Sequence, residues 1–319
     1  MKINTKSVLL SVLLVGFISS SCTKQVHAFV FEELNFSYGF LDDDHLALGN
    51  ISDAQENTMY SENYLMEKLG FTLSYNASKM EPNWVSWHLS EADFGSVKLD
   101  RYFCADATLP ANWKKVEHKH YSNTGLTRGH NCPSGDRTNT EEAQKATYVM
   151  TNMIPQTGNN NNKTWNNLEI YIRDEVKKGK EAYIVMGHYG LGAKVCDNGN
   201  GAYDCTKYRN RNVHYLENEQ DGILITVPKR IFKVILLLPN GDNDYQRIEE
   251  NIEGIELIAV DTPNSDDLSF DWTDYIVTVE EIEKNVEKDI YTGEYFFFKN
   301  FAPELRKKLV TKKYDYINN

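Results

Sequence analysis

Residues 125–173 constrain the fold more than any other stretch of the chain. Residues 125–131 (GLTRGHN) read as a strand or strand end. Thr140 is a cap for a short helical turn over 138–146, ahead of Glu141 and Glu142. Residues 147–154 (TYVMTNMI) read as a second strand that Pro155 ends. The asparagine run 159–162 supplies turn chemistry and a helix N-cap. The helix it opens runs from about Lys163 to Lys178 and stops at Gly179, where a left-handed residue is cheapest. A buried strand, 181–189 (EAYIVMGHY), follows. Strand, strand, helix, strand in that order predicts a mixed α+β fold.

The flanks add elements without internal repeats. Residues 83–89 (NWVSWHL) and 97–103 (VKLDRYF) read as strands. Trp84 and Trp87 suit core packing, with base or sugar stacking as the alternative. Lys114, Lys115, His118, Lys119 and His120 form a cluster that either touches a phosphate backbone or lies in a solvated loop. Strands are expected at 222–227, 232–238 and 255–260, and helices at 279–286 and 303–310. No Pro- or Ser-rich linker breaks residues 45–310, which are read as one domain, with 311–319 as a tail.

The N-terminus reads as a leader. Lys2 and Lys6 precede an apolar run, 8–18, too short to span a bilayer. Small residues then lead to Cys22, so residues 1–21 resemble a lipoprotein signal with Cys22 as the lipidated residue. Cleavage after Ala28 is the alternative. Residues 22–44 are expected to be a tether to the membrane. Export permits disulfides among Cys104, Cys132, Cys196 and Cys205. Cys196 and Cys205 bracket a polar, glycine-rich loop and are expected to pair, leaving Cys104 with Cys132. No C-x-x-C is present, which argues against zinc. The net charge of −12 argues against a generic polyanion binder. It leaves room for a local basic cleft, because Arg128, Arg137, Arg173, Arg209, Arg211 and several lysines fall in the middle of the chain.

The residues of the central stretch suit phosphodiester chemistry. Hydrolysis of a phosphodiester needs a base for water, positive charge on the developing oxyanion and in-line geometry. His130 suits the base, since an imidazole titrates at about 6.5. Gly129 beside it would let a substrate backbone approach. Mg²⁺ prefers oxygen ligands and keeps several waters, so one asparagine carbonyl can hold it. Steps of four along a helix would put Asn161, Trp165, Glu169 and Arg173 on one side. The plainer alternative makes the asparagines a turn and cap, and Glu169 and Arg173 a surface ion pair.

Three motifs favour the catalytic reading: TRGH (127–130), TNMIPQ (151–156) and NNKTWNNLEIYIR (161–173). In this order and spacing they resemble the DNA/RNA non-specific endonuclease family, the sugar-non-specific ββα-metal (His-Me finger) nucleases that include endonuclease G. The resemblance extends over roughly 45–310. It implies a ββα-metal core with a central, mostly antiparallel sheet flanked by helices. By resemblance His130 is the general base and Asn161 the single protein ligand of Mg²⁺, with Mn²⁺ as a substitute. Glu169 holds the waters around the ion. Arg101 and Arg173 bind phosphate and offset charge in the transition state. Arg128 supports the site, and Asn152 supports it and contacts substrate. The family motif begins with Asp where this chain has Thr127, which bears on how the metal is held.

The expected function is an exported, metal-dependent endonuclease that cuts DNA and RNA with little sequence preference. The alternatives are a phosphodiesterase of narrower substrate range and a non-catalytic nucleic-acid-binding surface lipoprotein.

Overall fold

Long β-branched and aromatic runs become the strands of one antiparallel sheet. The computed structural model describes residues 38–196, 203–208, 210–289 and 294–316. The leader, Cys22 and residues 22–37 of the expected tether lie outside the described residues. In chain order the strands are β1 (Tyr64–Lys68), β2 (Phe71–Asn76), β3 (Glu81–Leu89), β4 (Leu126–His130), β5 (Met153–Thr157), β6 (Lys180–Leu191), β7 (Ala193–Val195), β8 (Arg211–Val213), β9 (Tyr215–Asn218), β10 (Ile223–Thr226), β11 (Pro228–Pro239), β12 (Glu256–Pro263) and β13 (Ile276–Val277). Seven of them form the main sheet in the order β1-β2-β3-β6-β11-β12-β13, and every neighbouring pair is antiparallel. The helices are α1 (Glu141–Thr147), α2 (Asn166–Lys177), α3 (Asp244–Glu250), α4 (Val279–Glu287) and α5 (Pro303–Thr311).

Both faces of the sheet are covered, so β6 and β11 are nearly continuous apolar runs. Alternation assigns the faces. Phe232, Val234, Leu236 and Leu238 of β11 face one core, shared with Ile248 of α3, Ile282 of α4 and Leu309 of α5. Ile231, Ile235 and Leu237 face the other, shared with Leu168, Ile172 and Val176 of α2. Spacings of four put those α2 residues on one stripe, which seats the helix on the sheet. Gly179, at φ +96°, ends the helix as expected, and Thr140 caps α1 by accepting from the Ala143 N–H at 3.1 Å.

Several expectations change. Residues 97–103 are irregular rather than a strand, because their backbone is bonded to the α1 region: the Leu99 N–H donates to Gln144 Oε1. Residues 147–152 are the end of α1 and a 3₁₀ turn, and the second strand of the central unit starts only at Met153. Pro155 sits inside β5 rather than ending it. In a two-stranded pair one edge needs no N–H, and proline is tolerated there. Trp84 and Trp87 are fully buried on opposite faces of the sheet, so neither is a stacking platform. The end of the expected tether belongs to the folded body: Phe40 packs against Tyr183, Tyr245 and Phe301, and Asp42 accepts from the Asp244 N–H.

The cysteines split. Cys196 and Cys205 form a disulfide with Cα atoms 4.9 Å apart. Cys104 and Cys132 are free thiols. Cys132 is buried in the core beneath α2, and the Cys104 backbone is tied elsewhere: its N–H donates to the Tyr148 carbonyl and its carbonyl accepts from the Met150 N–H.

Candidate active site

β4, β5 and the helix that follows make a ββα unit on the α2 face of the sheet. Thr127 lies opposite Gln156 and His130 opposite Met153. Gly129 is required here by Gln156 rather than by a substrate, since a Cβ at 129 would fall 2.1 Å from Gln156 Oε1. The asparagine run is not a cap. It lies in helical conformation and opens as a π-helical segment, Asn160–Trp165, before α2 begins. A π turn closes i→i+5 bonds instead of i→i+4. That extra residue moves Trp165 into the core at 1% exposure and puts Asn166 on the cleft face beside Asn161 and Glu169. The simple four-residue stepping therefore fails at Trp165.

The four asparagines divide in two. Asn159 and Asn160 are structural: Asn159 Nδ2 donates to the Tyr203 and Asp266 carbonyls, and Asn160 Nδ2 to Thr262 Oγ1 and the Pro263 carbonyl. Asn161 and Asn162 face a cavity of about 770 Å³. Its other walls include Arg101, Phe103, Thr127, Arg128, His130 and Tyr148.

One hydrogen-bond chain fixes the Asn161 amide. The Thr127 hydroxyl donates to the Gln156 carbonyl at 2.8 Å, so its oxygen is left to accept, and it accepts from Asn161 Nδ2 at 2.9 Å. The amide is thereby oriented with its nitrogen on Thr127, which frees Oδ1 for another partner. With Glu169 on the same face, this is an oxygen donor set suited to a hard divalent cation. A carboxylate at 127 would accept the same bond, so threonine retains the positioning and loses only the charge.

His130 is enclosed. Its ring lies 5.5 Å from Phe103 and 5.2 Å from Tyr148, and its Nε2 is buried with no hydrogen-bond partner among the described residues. The residue keeps partial exposure while this nitrogen has none; the buried atom governs its charge. Burial first, and the Arg101 charge second, push its pKa down to about 4. It is therefore neutral and able to accept a proton at physiological pH.

Arg128 lines the cavity from between the Phe103 and Tyr121 rings, 5.5 and 5.6 Å from their centroids, and donates to the His118 carbonyl. Arg101 is exposed in the same wall. Two expected site residues are placed differently. Asn152 is fully buried and spends its amide on the Cys132 N–H, the Cys132 carbonyl and the Thr147 carbonyl. It braces the end of β4 and cannot touch substrate. Arg173 does not line the cavity. Its guanidinium is held by Asp136 at 3.0 Å and lies 3.8 Å from Glu169. The basic cluster at 114–120 is mostly engaged: Lys119 and His120 pair with Asp221, and Lys114 donates to the Gly222 carbonyl.

A residue that the sequence reading passed over lies under the site. Lys233 is fully buried in β11, 5.3 Å and 5.2 Å from the Trp87 and Trp165 ring centroids, and 3.7 Å from Glu169 Oε1. Burial pulls its pKa down, and the nearby Glu169 carboxylate opposes that most. Burial likewise raises Glu169, with Lys233 and then Arg173 opposing. At an effective dielectric of 20 an ion pair at this distance gains about 4 kcal/mol. Desolvation costs several kcal/mol per ion. The pair adds little net stability, so stability is a poor reason for a lysine there. Its signal in the sequence was one charge inside the otherwise apolar run 231–238.

One other group among the described residues has metal-ligating composition: Asp43, His88 and Glu181, on the opposite face of the sheet. Its atoms are already paired. His88 Nδ1 faces Asp43 at 3.2 Å and Nε2 faces Glu181 at 3.0 Å, while the other Glu181 oxygen accepts from Arg247.

Comparison with known proteins agrees with this geometry. The model of the family described as DNA/RNA non-specific endonuclease matches residues 50–303. A nuclease of Nostoc sp. is 38% identical over 268 residues, covering 84% of this chain and 85% of that protein. The mitochondrial nuclease EXOG of Xenopus laevis is 29% identical over 222 residues, covering 68% of this chain and 55% of that protein. Among solved structures, one of an EndoG/EndoGI complex matches with a TM-score of 0.55 and 20% identity. The match covers 82% of this chain and 99% of that one, a likeness of fold.

Proposed function

The chain belongs to the DNA/RNA non-specific endonuclease family and is an endonuclease, and we propose that it hydrolyses both DNA and RNA with a divalent cation, Mg²⁺ or Mn²⁺, held by Asn161 and with His130 as the base. The observation that carries this reading is the shared cavity. It brings together the partly exposed His130 ring and the Asn161 amide, whose nitrogen the Thr127 bond fixes so that its oxygen is left for another partner.

The residues divide the work as follows. His130 takes the proton from the attacking water. Its pKa of about 4 makes it a weak base in the free protein, and the negative charge of an incoming phosphodiester raises it. Arg101, exposed in the cavity wall, is placed to meet phosphate charge. Arg128 forms part of the same wall but is held by His118. Asn161 and Glu169 are the groups that would hold the cation, which supplies positive charge to the scissile phosphate and the departing oxygen. Phe103, Tyr148 and Tyr203 line the cavity with aromatic surface that can accept any base, which supports low sequence preference. Thr127 keeps the hydrogen bond that positions Asn161, so its departure from the family motif does not favour a merely binding role.

We also place the protein outside the cytoplasm, anchored through Cys22. The basic and apolar leader before Cys22 supports this, as does the Cys196–Cys205 disulfide, a bond typical of oxidising compartments.

The test is degradation of supercoiled plasmid and of RNA by the purified protein with Mg²⁺ or Mn²⁺, with and without chelator. Cutting of both substrates that chelator stops is expected. Absence of cutting with either ion, by folded protein with its disulfide intact, would overturn the reading.

A further inference from the structure

Tyr203, two residues before the second cysteine of the disulfide, forms part of the cavity wall. Gly158, between β5 and the asparagine run, makes room for it. Gly158 is buried, and a Cβ there would fall 2.1–2.3 Å from three consecutive atoms of the Tyr203 ring, Cδ2, Cε2 and Cζ. Its φ is not positive, so the missing side chain serves close approach of the ring rather than a turn.

The backbone around Tyr203 is fastened to the same place. The Tyr203 carbonyl accepts from Asn159 Nδ2 at 3.0 Å, and the Asp204 N–H donates to the Cys196 carbonyl at 3.0 Å. Cys205 is bonded to Cys196, which lies just past β7. Asp266 joins Cys196 to the start of the helix. One of its carboxylate oxygens accepts from the Cys196 N–H and the other from the Asn159 N–H, each at 2.9 Å. The disulfide therefore ties the segment carrying the ring to backbone two positions before Asn161.

The other aromatic side chains of the cavity are engaged with one another or with its charged groups. Phe103 and Tyr148 meet edge to face at 5.4 Å, and both enclose the His130 ring. Tyr121 is 2% exposed and holds Arg128 over its ring. Tyr203 is seated instead on Gly158 and Asn159, and it keeps partial exposure. A ring so placed can stack on the face of a base, whatever the base is. In a duplex the neighbours cover both faces. In single strands, loops and ends the faces are open.

We propose that Tyr203 is a substrate-binding residue that stacks on an unpaired nucleobase in the cavity of His130 and Asn161, and that the Cys196–Cys205 disulfide holds it there. This deepens the nuclease function proposed above and rests on it. It gives the enzyme a bias toward single-stranded and locally unpaired nucleic acid. DNA and RNA are served alike, because stacking reads the base and ignores the sugar. The contribution belongs to binding, so it should appear in KM rather than kcat.

The test measures binding without cleavage. In chelator, fluorescence anisotropy gives the Kd of a labelled single-stranded oligothymidylate and of an abasic strand of the same length and charge. The wild-type protein should prefer the strand with bases by about 10-fold or more, the scale of one stacking contact. Tyr203→Ala should bring the two Kd values within about threefold, and Tyr203→Phe should keep them apart. The double variant Cys196→Ser/Cys205→Ser should lose the preference too, and adding Tyr203→Ala to it should change little. With Mg²⁺, Tyr203→Ala should raise KM for the single strand about 10-fold, with kcat and the KM for duplex nearly unchanged. Equal wild-type affinities for the two strands, or a preference that survives Tyr203→Ala, would overturn the proposal. A folded disulfide-free variant with the full preference would overturn the part assigned to the disulfide. Should that variant not fold, Gly158→Ala tests the same seating with the bond intact: its methyl displaces the ring, and an undiminished preference would count against the proposal. If the wild-type protein prefers bases but cuts nothing, the nuclease reading falls and the stacking site stands.

Discussion

The two faces of the central sheet each carry a cluster of ionisable side chains, and the clusters differ in what their atoms have left to do. On one face, Asp43, His88, Glu181, Asp244 and Arg247 are bonded to one another. Glu181 Oε1 takes both Arg247 and the Gly241 N–H, and Asp244 accepts from the Tyr183 hydroxyl. On the other, His130 Nε2 has no partner among the described residues, and Asn161, on the cavity wall, commits its nitrogen to Thr127 while its oxygen accepts no hydrogen bond among the described residues. By composition the first cluster looks more like a metal site. By bonding, only the second has capacity for a ligand. Unused hydrogen-bonding power in a cavity points to chemistry better than density of charge does.

The sharpest way to break this contrast is to remove one histidine from each cluster. His130→Ala should lower plasmid cleavage by roughly 10²- to 10⁴-fold, the usual contribution of a general base. His88→Gln should leave the rate per folded molecule within about threefold, since His88 touches nothing in the cavity. Initial rates of nicking decide it; a collapse in His88→Gln with His130→Ala active would reverse the assignment.

Stability should respond the other way. Glu181→Ala removes the carboxylate that Arg247 and His88 share, although Arg247 keeps Asp244 and His88 keeps Asp43, and should cost about 1–3 kcal/mol in a urea titration. A loss under 1 kcal/mol would mean that this cluster is not the structural one. Thr127→Val sharpens the picture of the cleft. Without its hydroxyl the Asn161 amide loses its anchor, and cleavage should fall about 10- to 100-fold. Thr127→Ser should stay near wild type. Equal rates for valine and serine would show that the bond to Asn161 is idle.

The smallest expected effect is on acid stability. Burial, then the Arg101 charge, hold His130 at about 4, and burial, then Lys79, hold His188 at about 3. An unfolded imidazole takes up its proton at about 6.5. The unfolded state thus binds more protons below that value, and stability present above pH 6.5 falls as pH drops through the folded pKa values. Urea midpoints measured between pH 7 and pH 4 should fall less steeply in His130→Gln than in wild type. An identical slope would mean that His130 is already protonated at pH 6 in the folded protein.

Much of this was legible in the sequence, and the parts that were not share a cause. The ββα unit, the cap at Thr140 and the stop at Gly179 depend on local chemistry, which spacing reveals. His130, Asn161 and Glu169 meet in one cavity because the TRGH, TNMIPQ and asparagine–helix motifs sit on consecutive elements. The π turn carries no sequence mark, yet it exchanges Trp165 for Asn166 on the cleft face. Asn152 matched a motif position, but only the tertiary structure reveals that its amide is spent inside the protein. The pairing of Cys104 with Cys132 was reached by elimination, and the fold buries Cys132 in the core beneath α2. Lys233 was hidden because a run such as IFKVILLL reads as apolar until the strand's faces are assigned.

The most direct test follows Mn²⁺ into the metal-free protein by NMR, using paramagnetic broadening of assigned side chains. The account predicts that the Asn161 amide and the His130 ring broaden first, that His88 stays sharp, and that Asn161→Ala weakens binding while His88→Gln does not. Early broadening at His88, with binding untouched in Asn161→Ala, would contradict it and move the metal to the other face of the sheet.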